Sequence, residues 1–121
     1  MSFGSYFKDL RKSKQVTQKE IADAIGKKPM LVSNVENSKN GPFVDVDLKK
    51  ISVALDLSED EKEKLYKEAA KASGKLPPHL LDYLTRHDEV YSLLEVLAKK
   101  ELGSDSLSKI IQLVKESNLQ C

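Results

Sequence analysis

The sequence predicts an all-α protein, and three observations lead to this class. Gly and Pro together account for only 9 of the 121 residues, which is few for a turn-rich β fold. Apolar side chains recur every three to four residues along most of the chain, as they do on one face of a helix. Strand-like alternation is confined to residues 43–47, which we expect to form an extended connector.

Local signals place the first helices. Phe3 belongs to the apolar face of the first. A capping box of Thr17 and Glu20 predicts the start of the second helix. Gly26 predicts the sharp turn that ends it, and Pro29 suits the first turn of the third helix. The expected core side chains of this part are Leu10, Ile21, Ile25, Val32, Val35, Leu48, Ile51 and Leu55.

The fourth helix is predicted to end near Asp56. Ser58 is a favourable N-cap for a fifth helix, which we expect to run to about Ser73. The break that follows, Ser-Gly-Lys-Leu-Pro-Pro, is the strongest in the second half of the chain. It divides the sequence into two predicted domains, residues 1–73 and residues 74–121.

Three further helices are predicted beyond the break: near residues 80–84, from about residue 88 to 102, and from about residue 105. We expect Gly103 to end the second of these and Ser104 or Asp105 to cap the third. The last two carry apolar stripes, which consist of Val90, Leu93, Leu94, Leu97, Leu107, Ile110, Ile111 and Val114. Two such helices can form a hairpin that stays partly uncovered. We expect it to mediate homodimerisation, and completion of one larger core is the alternative.

Charge is distributed unevenly. The first 40 residues carry 8 basic and 4 acidic side chains, a net charge of +4, whereas the whole chain has +1. A basic N-terminal part joined to a mildly acidic remainder fits a nucleic-acid reader.

Other functional classes are disfavoured. No apolar run reaches the length of a membrane span, no secretory signal is visible, and Cys121 is the single cysteine. We therefore expect a cytoplasmic protein without a disulfide. Neither a phosphate-binding loop nor a catalytic motif is present, and His79 and His87 are expected at the surface. Accordingly we predict no enzymatic activity, no metal and no cofactor.

The segment from Thr17 to Asn37 combines a short helix, a tight turn and a third helix whose outer side is polar. Its residues and those around it match one family at the right spacings. The matching residues are Leu10-Arg11, Thr17-Gln18-Lys19-Glu20-Ile21-Ala22, Gly26, Val32-Ser33-Asn34-Val35-Glu36-Asn37, Pro42, Leu48-Lys49-Lys50-Ile51 and Ala54-Leu55. Residues 3–57 therefore resemble the Xre/Cro/cI-type helix-turn-helix domain of bacterial and phage repressors. The tail shows only a looser resemblance, at its Leu-Pro-Pro break.

The resemblance implies a five-helix, lambda-repressor-like domain that reads double-stranded DNA. The positions that it assigns to DNA, together with the lysines that bracket the third helix, are Gln18, Lys27, Lys28, Pro29, Met30, Ser33, Asn34, Asn37 and Lys39. Gln18 corresponds to a phosphate contact that also braces the third helix. Arg11 and Glu36 correspond to a structural ion pair between the first and third helices. Ser38 departs from the glycine that is usual after the Glu-Asn pair.

The resemblance further implies how these positions are used. Base edges are faced by Lys28, Pro29, Met30, Ser33 and Asn34, and the DNA backbone by Asn37 and Lys39. Since neither Pro29 nor Met30 has a side-chain donor, polar readout is expected from Lys28, Ser33 and Asn34.

The sequence thus predicts a transcriptional repressor that binds a palindromic operator as a homodimer. Two alternatives stay open. One is an antitoxin-like or partner-controlled regulator whose C-terminal half binds another protein. The other is a small-molecule sensor with a cavity between the late helices, lined by tyrosines.

Overall fold

A computed structural model of the chain describes residues 2–118, and all of its regular elements in that range are α-helices. The all-α prediction is therefore confirmed. The helices are α1 (Phe3–Ser13), α2 (Gln18–Ile25), α3 (Pro29–Glu36), α4 (Asp45–Ala54), α5 (Glu59–Ser73), α6 (Pro78–Arg86), α7 (Asp88–Lys100) and α8 (Ser104–Glu116). They fall into two compact units, which divide within α6, between Leu80 and Leu81. Cys121 lies outside the described residues.

A capping box begins α2, as the sequence predicts, and another begins α5, where the sequence predicts only Ser58 as the N-cap. The Thr17 hydroxyl accepts a hydrogen bond from the backbone N–H of Glu20 at 3.1 Å, and the Glu20 carboxylate accepts one from the backbone N–H of Thr17 at 3.0 Å. Ser58 and Glu61 repeat the arrangement. The hydrogen bond from the backbone N–H at the cap lowers the pKa of both Glu20 and Glu61 below the ordinary value of a glutamate.

The turn between α2 and α3 depends on Gly26, whose φ of +68° lies in the left-handed region that favours glycine. The next backbone N–H, that of Lys27, donates back to the Ala22 carbonyl at 2.9 Å, which closes the end of α2. Pro29 occupies the first position of α3, as predicted. These contacts set the angle at which α3 leaves the turn.

A single hydrophobic core fills the first unit, and α2 packs against both α3 and α4. Its buried apolar side chains are Phe3, Phe7, Ile21, Ala22, Ile25, Val32, Val35, Phe43, Leu48, Ile51, Leu55, Leu57, Leu65 and Ala69. Of the predicted core, Leu10 is only half-buried.

The connector predicted over residues 43–47 is shorter than expected. Phe43 lies outside the helices and Val44 is extended, but α4 already begins at Asp45. Two aspartates in the first turn favour this start because negative charge there complements the helix dipole. Phe43 contributes to the core, with its ring edge-on to Phe7 at 4.9 Å between centroids.

Close packing of α1 on α3 depends on Gly4. A Cβ at this position would lie 2.3 Å from the carbonyl oxygen of Val35 and 2.6 Å from that of Glu36. Both neighbours are backbone atoms, which cannot rotate away as the end of a side chain can. Gly4 therefore lets the start of α1 lie directly against the end of α3.

Ser38 follows α3 in the left-handed conformation, with a φ of +61°. Glycine adopts this φ without the steric cost that a Cβ brings. We expect Ser38→Gly to raise the free energy of unfolding by about 0.5–1 kcal/mol, measured by urea denaturation. Ser5→Gly, inside α1, is the matched control and should lower it by about 0.5 kcal/mol. Destabilisation by Ser38→Gly would contradict the assignment of strain to this residue.

The second unit differs from the sequence prediction at two helix ends. The helix expected to reach residue 102 ends at Lys100, because Glu101 turns into the left-handed region with a φ of +52°. Gly103, not Ser104 or Asp105, is the N-cap of α8, and no side chain caps that helix. The hairpin is also not formed, since α7 and α8 bring no Cα atoms within 8 Å of each other.

No side chain of α6, α7 or α8 is buried. In the two stripes, the half-buried side chains are Val90, Leu97, Leu107 and Ile110, and the exposed ones are Leu93, Leu94, Ile111 and Val114. These helices therefore leave apolar surface in contact with water.

Candidate nucleic-acid interface

Helix α3 and the residues at its two ends carry most of the predicted DNA contacts. Val32, Val35 and Glu36 are buried on the inner side of α3, which leaves its other polar side chains on the outer side. Lys28, at the N-cap, and Pro29 are exposed, and Ser33 and Asn34 are half-buried. This short helix is anchored by its inner side, and Ser33 and Asn34 make part of its outer surface polar.

A buried ion pair fixes the C-terminal end of this helix. Arg11 Nε donates to Glu36 Oε2 at 2.6 Å, and Arg11 Nη2 donates to Glu36 Oε1 at 3.1 Å. The third guanidinium nitrogen, Nη1, donates to the carbonyl oxygen of Val16 at 2.8 Å. Both charged side chains are almost fully buried. The two-pronged contact therefore joins α1, α3 and the loop that precedes α2.

Gln18 is part of the same network. Its Nε2 donates to Glu36 Oε1 at 3.0 Å, which links the first residue of α2 to the last residue of α3. An amide nitrogen has two hydrogens, so one remains to donate to another acceptor. The side chain is half-buried at the surface, so this hydrogen can reach a group outside the protein. The resemblance implies that Gln18 braces the third helix, and the structure adds that its partner there is Glu36.

The lysines that bracket α3 differ in their surroundings. Lys27 Nζ lies 2.9 Å from Oδ2 of Asp47, whose side chain is nearly buried at the start of α4. Lys27 therefore already has a partner within the protein, and its DNA contact stays a prediction. Over residues 2–118, Lys28 and Lys39 form no ion pair and are exposed.

Hydrogen bonds also order the C-terminal end of α3. Asn37 Nδ2 donates to the Ser33 hydroxyl oxygen at 3.3 Å, which leaves the Ser33 O–H free to donate outward. The Asn34 carbonyl oxygen accepts from the backbone N–H of Lys39 at 2.8 Å and from that of Asn40 at 3.2 Å. In the described part of the chain, the side-chain amide of Asn34 has no hydrogen-bond partner.

Met30 points away from the core, with 71% of its surface exposed. Together with Pro29 it makes the N-terminal end of α3 apolar, next to Lys28. A thymine methyl group is the feature of the major groove that an apolar side chain contacts. The arrangement therefore combines apolar and polar readout on one short helix.

The tyrosines do not enclose a cavity in the second unit. Tyr83 and Tyr91 are both more than half exposed, and the Tyr83 ring lies against His87, with 4.8 Å between centroids. One pocket of the described residues lies in the first unit, between the start of α1, the loop after α3 and the end of α5. The small-molecule sensor thus gains no support from these residues.

The first unit combines a short helix, a glycine turn and an outward-facing third helix, and a buried ion pair fixes the end of that third helix. These features define a DNA-binding protein of the helix-turn-helix class. Residues 7–62 match the family model described as helix-turn-helix. This domain of the chain is a helix-turn-helix domain of the Xre/cI type, which confirms the resemblance, and it makes the chain a DNA-binding transcription regulator. Neither the curated proteins nor the solved structures gave a match. No helix in residues 2–118 is long and apolar enough to cross a membrane.

Proposed function

We propose that this protein is a sequence-specific transcriptional repressor, without enzymatic activity, that binds a near-palindromic operator as a homodimer. The observation that carries the proposal is the outer face of α3. This surface presents Lys28, Met30, Ser33 and Asn34 on a helix whose inner face and C-terminal end are fixed. Side chains held in this way read base edges without a large ordering cost on binding.

The contacts divide into two kinds. Asn34 has an uncommitted amide, which suits the paired donor and acceptor of an adenine edge, and Lys28 suits a guanine. Gln18, Asn37 and Lys39 lie beside the reading positions, where phosphates of the DNA backbone run. Lys27 is assigned a structural role instead, because Asp47 holds its ammonium group.

Homodimerisation follows from the need to pair two reading heads. A single α3 covers only one stretch of major groove, and two related by symmetry occupy successive grooves about 34 Å apart. The apolar stripes of residues 74–121 supply the surface for this pairing, since no side chain of α6–α8 is buried. Bound in the cytoplasm at a promoter, such a dimer blocks access of the polymerase.

Selection of bound DNA from a random pool tests the proposal directly. We expect the enriched sequences to contain two inverted half-sites, with their centres about one helical turn apart. Enrichment of a single, unsymmetric site would contradict the homodimer. Absence of any enriched sequence, at a salt concentration where the protein binds DNA, would contradict sequence-specific readout.

Substitutions separate base readout from phosphate contact. We expect Asn34→Ala to weaken binding to the selected site by about 1–3 kcal/mol and to change binding to random DNA little. Lys39→Ala should weaken both alike and reduce the slope of log K against log salt by about 1. Fluorescence anisotropy at several salt concentrations measures all of these, with Lys27→Ala as a matched control whose salt slope stays unchanged. Equal losses on both DNAs for Asn34→Ala would rule out a base-reading role.

A further inference from the structure

We infer that α7 is the dimer contact and that it pairs antiparallel with α7 of a second copy, in a register set by Glu89 and Lys100. The inference rests on the proposed homodimer and adds which helix forms it, in which direction and with which charge pair. Four features of the described residues support it: an uncovered apolar stripe, its symmetric spacing, the charges beside it, and the lack of such charges on α8.

The stripe on α7 is uncovered at its centre. Leu93 and Leu94 are 53% and 48% exposed, whereas Val90 and Leu97 at its ends are half-buried. The four residues follow the spacing i, i+3, i+4, i+7, which places them on one side of the helix. An apolar patch of this kind on a soluble chain indicates an interaction site.

The spacing is also complementary to itself. When two α7 helices run antiparallel about a twofold axis between Leu93 and Leu94, Leu93 faces the partner's Leu94 and Val90 faces the partner's Leu97. A symmetric contact of this type brings the same patch of both copies together. All four apolar residues are then matched with apolar residues, and neither end of the stripe is left over.

Charges beside the stripe match in the same arrangement. Glu89 and Lys100 are eleven residues apart, which is close to three full helical turns, so they lie on the same flank of α7. Along one helix they are separated by about 16 Å and cannot pair. In the antiparallel arrangement the same flanks face each other. Glu89 and the partner's Lys100 are then offset by only about 3 Å along the direction of the helix axes. Both side chains are exposed and, within residues 2–118, neither forms an ion pair.

Helix α8 provides the contrast. Its stripe of Leu107, Ile110, Ile111 and Val114 has the same spacing. The charge beside that stripe is Lys115, and the residues that would face it from a second antiparallel α8 are Ser104 and Ser108. Symmetric pairing of α8 therefore lacks the charge match that α7 has.

Charge reversal tests the register in the full-length chain. We expect Glu89→Lys to weaken dimerisation about tenfold, and Lys100→Glu to do the same, because each places like charges together at two symmetric contacts. The double variant should recover to within about threefold of the original protein. A mixture of the two single variants should also form dimers, since both opposite-charge contacts are restored between them. Sedimentation equilibrium measures each dissociation constant.

Recovery distinguishes this contact from an effect on the helix alone. Each reversal destabilises α7 because the new charge is unfavourable for the helix dipole, and the two losses add in the double variant. Recovery of dimerisation in the double variant therefore cannot come from helix stability. Glu95→Lys, on the opposite side of α7, is the matched control and should leave the dissociation constant unchanged. Circular dichroism confirms that each variant keeps its helices.

Three results overturn the inference. A dimer that is insensitive to both reversals places the contact elsewhere, and a double variant without recovery contradicts the register. In both cases the homodimer of the proposed function survives. A full-length protein that is monomeric at tens of micromolar removes that homodimer as well, while selection of a DNA site reports separately on DNA binding.

Discussion

Replacing Arg11 with methionine is expected to lower the free energy of unfolding by about 3–5 kcal/mol. The guanidinium makes two hydrogen bonds to Glu36 and one to the Val16 carbonyl, and the side chain of Glu36 is 1% exposed. Without Arg11, Gln18 is the one hydrogen-bond donor that residues 2–118 still offer to the buried carboxylate. Removing one partner of a buried pair costs far more than the pair itself contributes, because the remaining charge stays desolvated.

The converse change, Glu36→Leu, should cost a similar amount, since it leaves the guanidinium buried and unpaired. The double variant, Arg11→Met with Glu36→Leu, removes both charges, and we expect it to regain most of the loss. Urea denaturation followed by circular dichroism compares the three proteins. Lys14→Met is the control: Lys14 also lies at the end of α1 and pairs with Glu61, but this pair is partly exposed, unlike Arg11–Glu36, and should contribute about 0–1 kcal/mol. An unchanged midpoint for either single variant would show that the pair is not structural.

Features determined by neighbouring residues could be predicted from the sequence. The capping box of Thr17 and Glu20, the turn at Gly26 and the place of Pro29 all depend on hydrogen bonds within a few residues. The same is true of Ser58 at the start of α5. Such signals keep their meaning in any tertiary context. They were sufficient to place the helix-turn-helix unit.

Contacts between distant residues were harder to predict. Lys27 and Asp47 are twenty residues apart, and nothing in the local sequence distinguishes Lys27 from Lys28. Phe43 falls in the segment predicted as an extended connector, yet its ring packs against Phe7. Gly4 offers a usable signal: a glycine on the buried face of an otherwise regular helix indicates close approach of another backbone. The hydrogen bond between Gln18 and Glu36 depends on the angle between two helices, which spacing alone does not supply.

The ends of the late helices were misplaced for a related reason. Gly103 resembles a helix stop, but its backbone is extended and needs no glycine, and the turn falls at Glu101 instead. Helices without a buried face have few tertiary contacts to select their ends. The same lack of buried contacts in α6–α8 is what the proposed dimer would supply.

Removing the second unit is expected to lower the affinity for the palindromic operator by roughly 10²–10⁴-fold without unfolding the domain that reads it. Every buried apolar side chain of the described residues lies between Phe3 and Ala69. A chain that ends at Lys75 therefore keeps the whole core, and it also keeps Gly74, whose left-handed conformation closes the end of α5. We expect this shortened protein to be folded and monomeric, and to bind a half-site weakly.

The loss in affinity follows from effective concentration and involves no change in the reading surface. In the dimer, binding of one head holds the second close to its half-site, so the second contact forms at high local concentration. On a single half-site, the shortened and full-length proteins should therefore differ little, which provides the internal control. Analytical ultracentrifugation and anisotropy titration of both proteins, on the palindrome and on the half-site, separate assembly from readout. A shortened protein that is still a dimer would place the contact in the first unit. A monomeric full-length protein would instead favour binding of another protein to α6–α8.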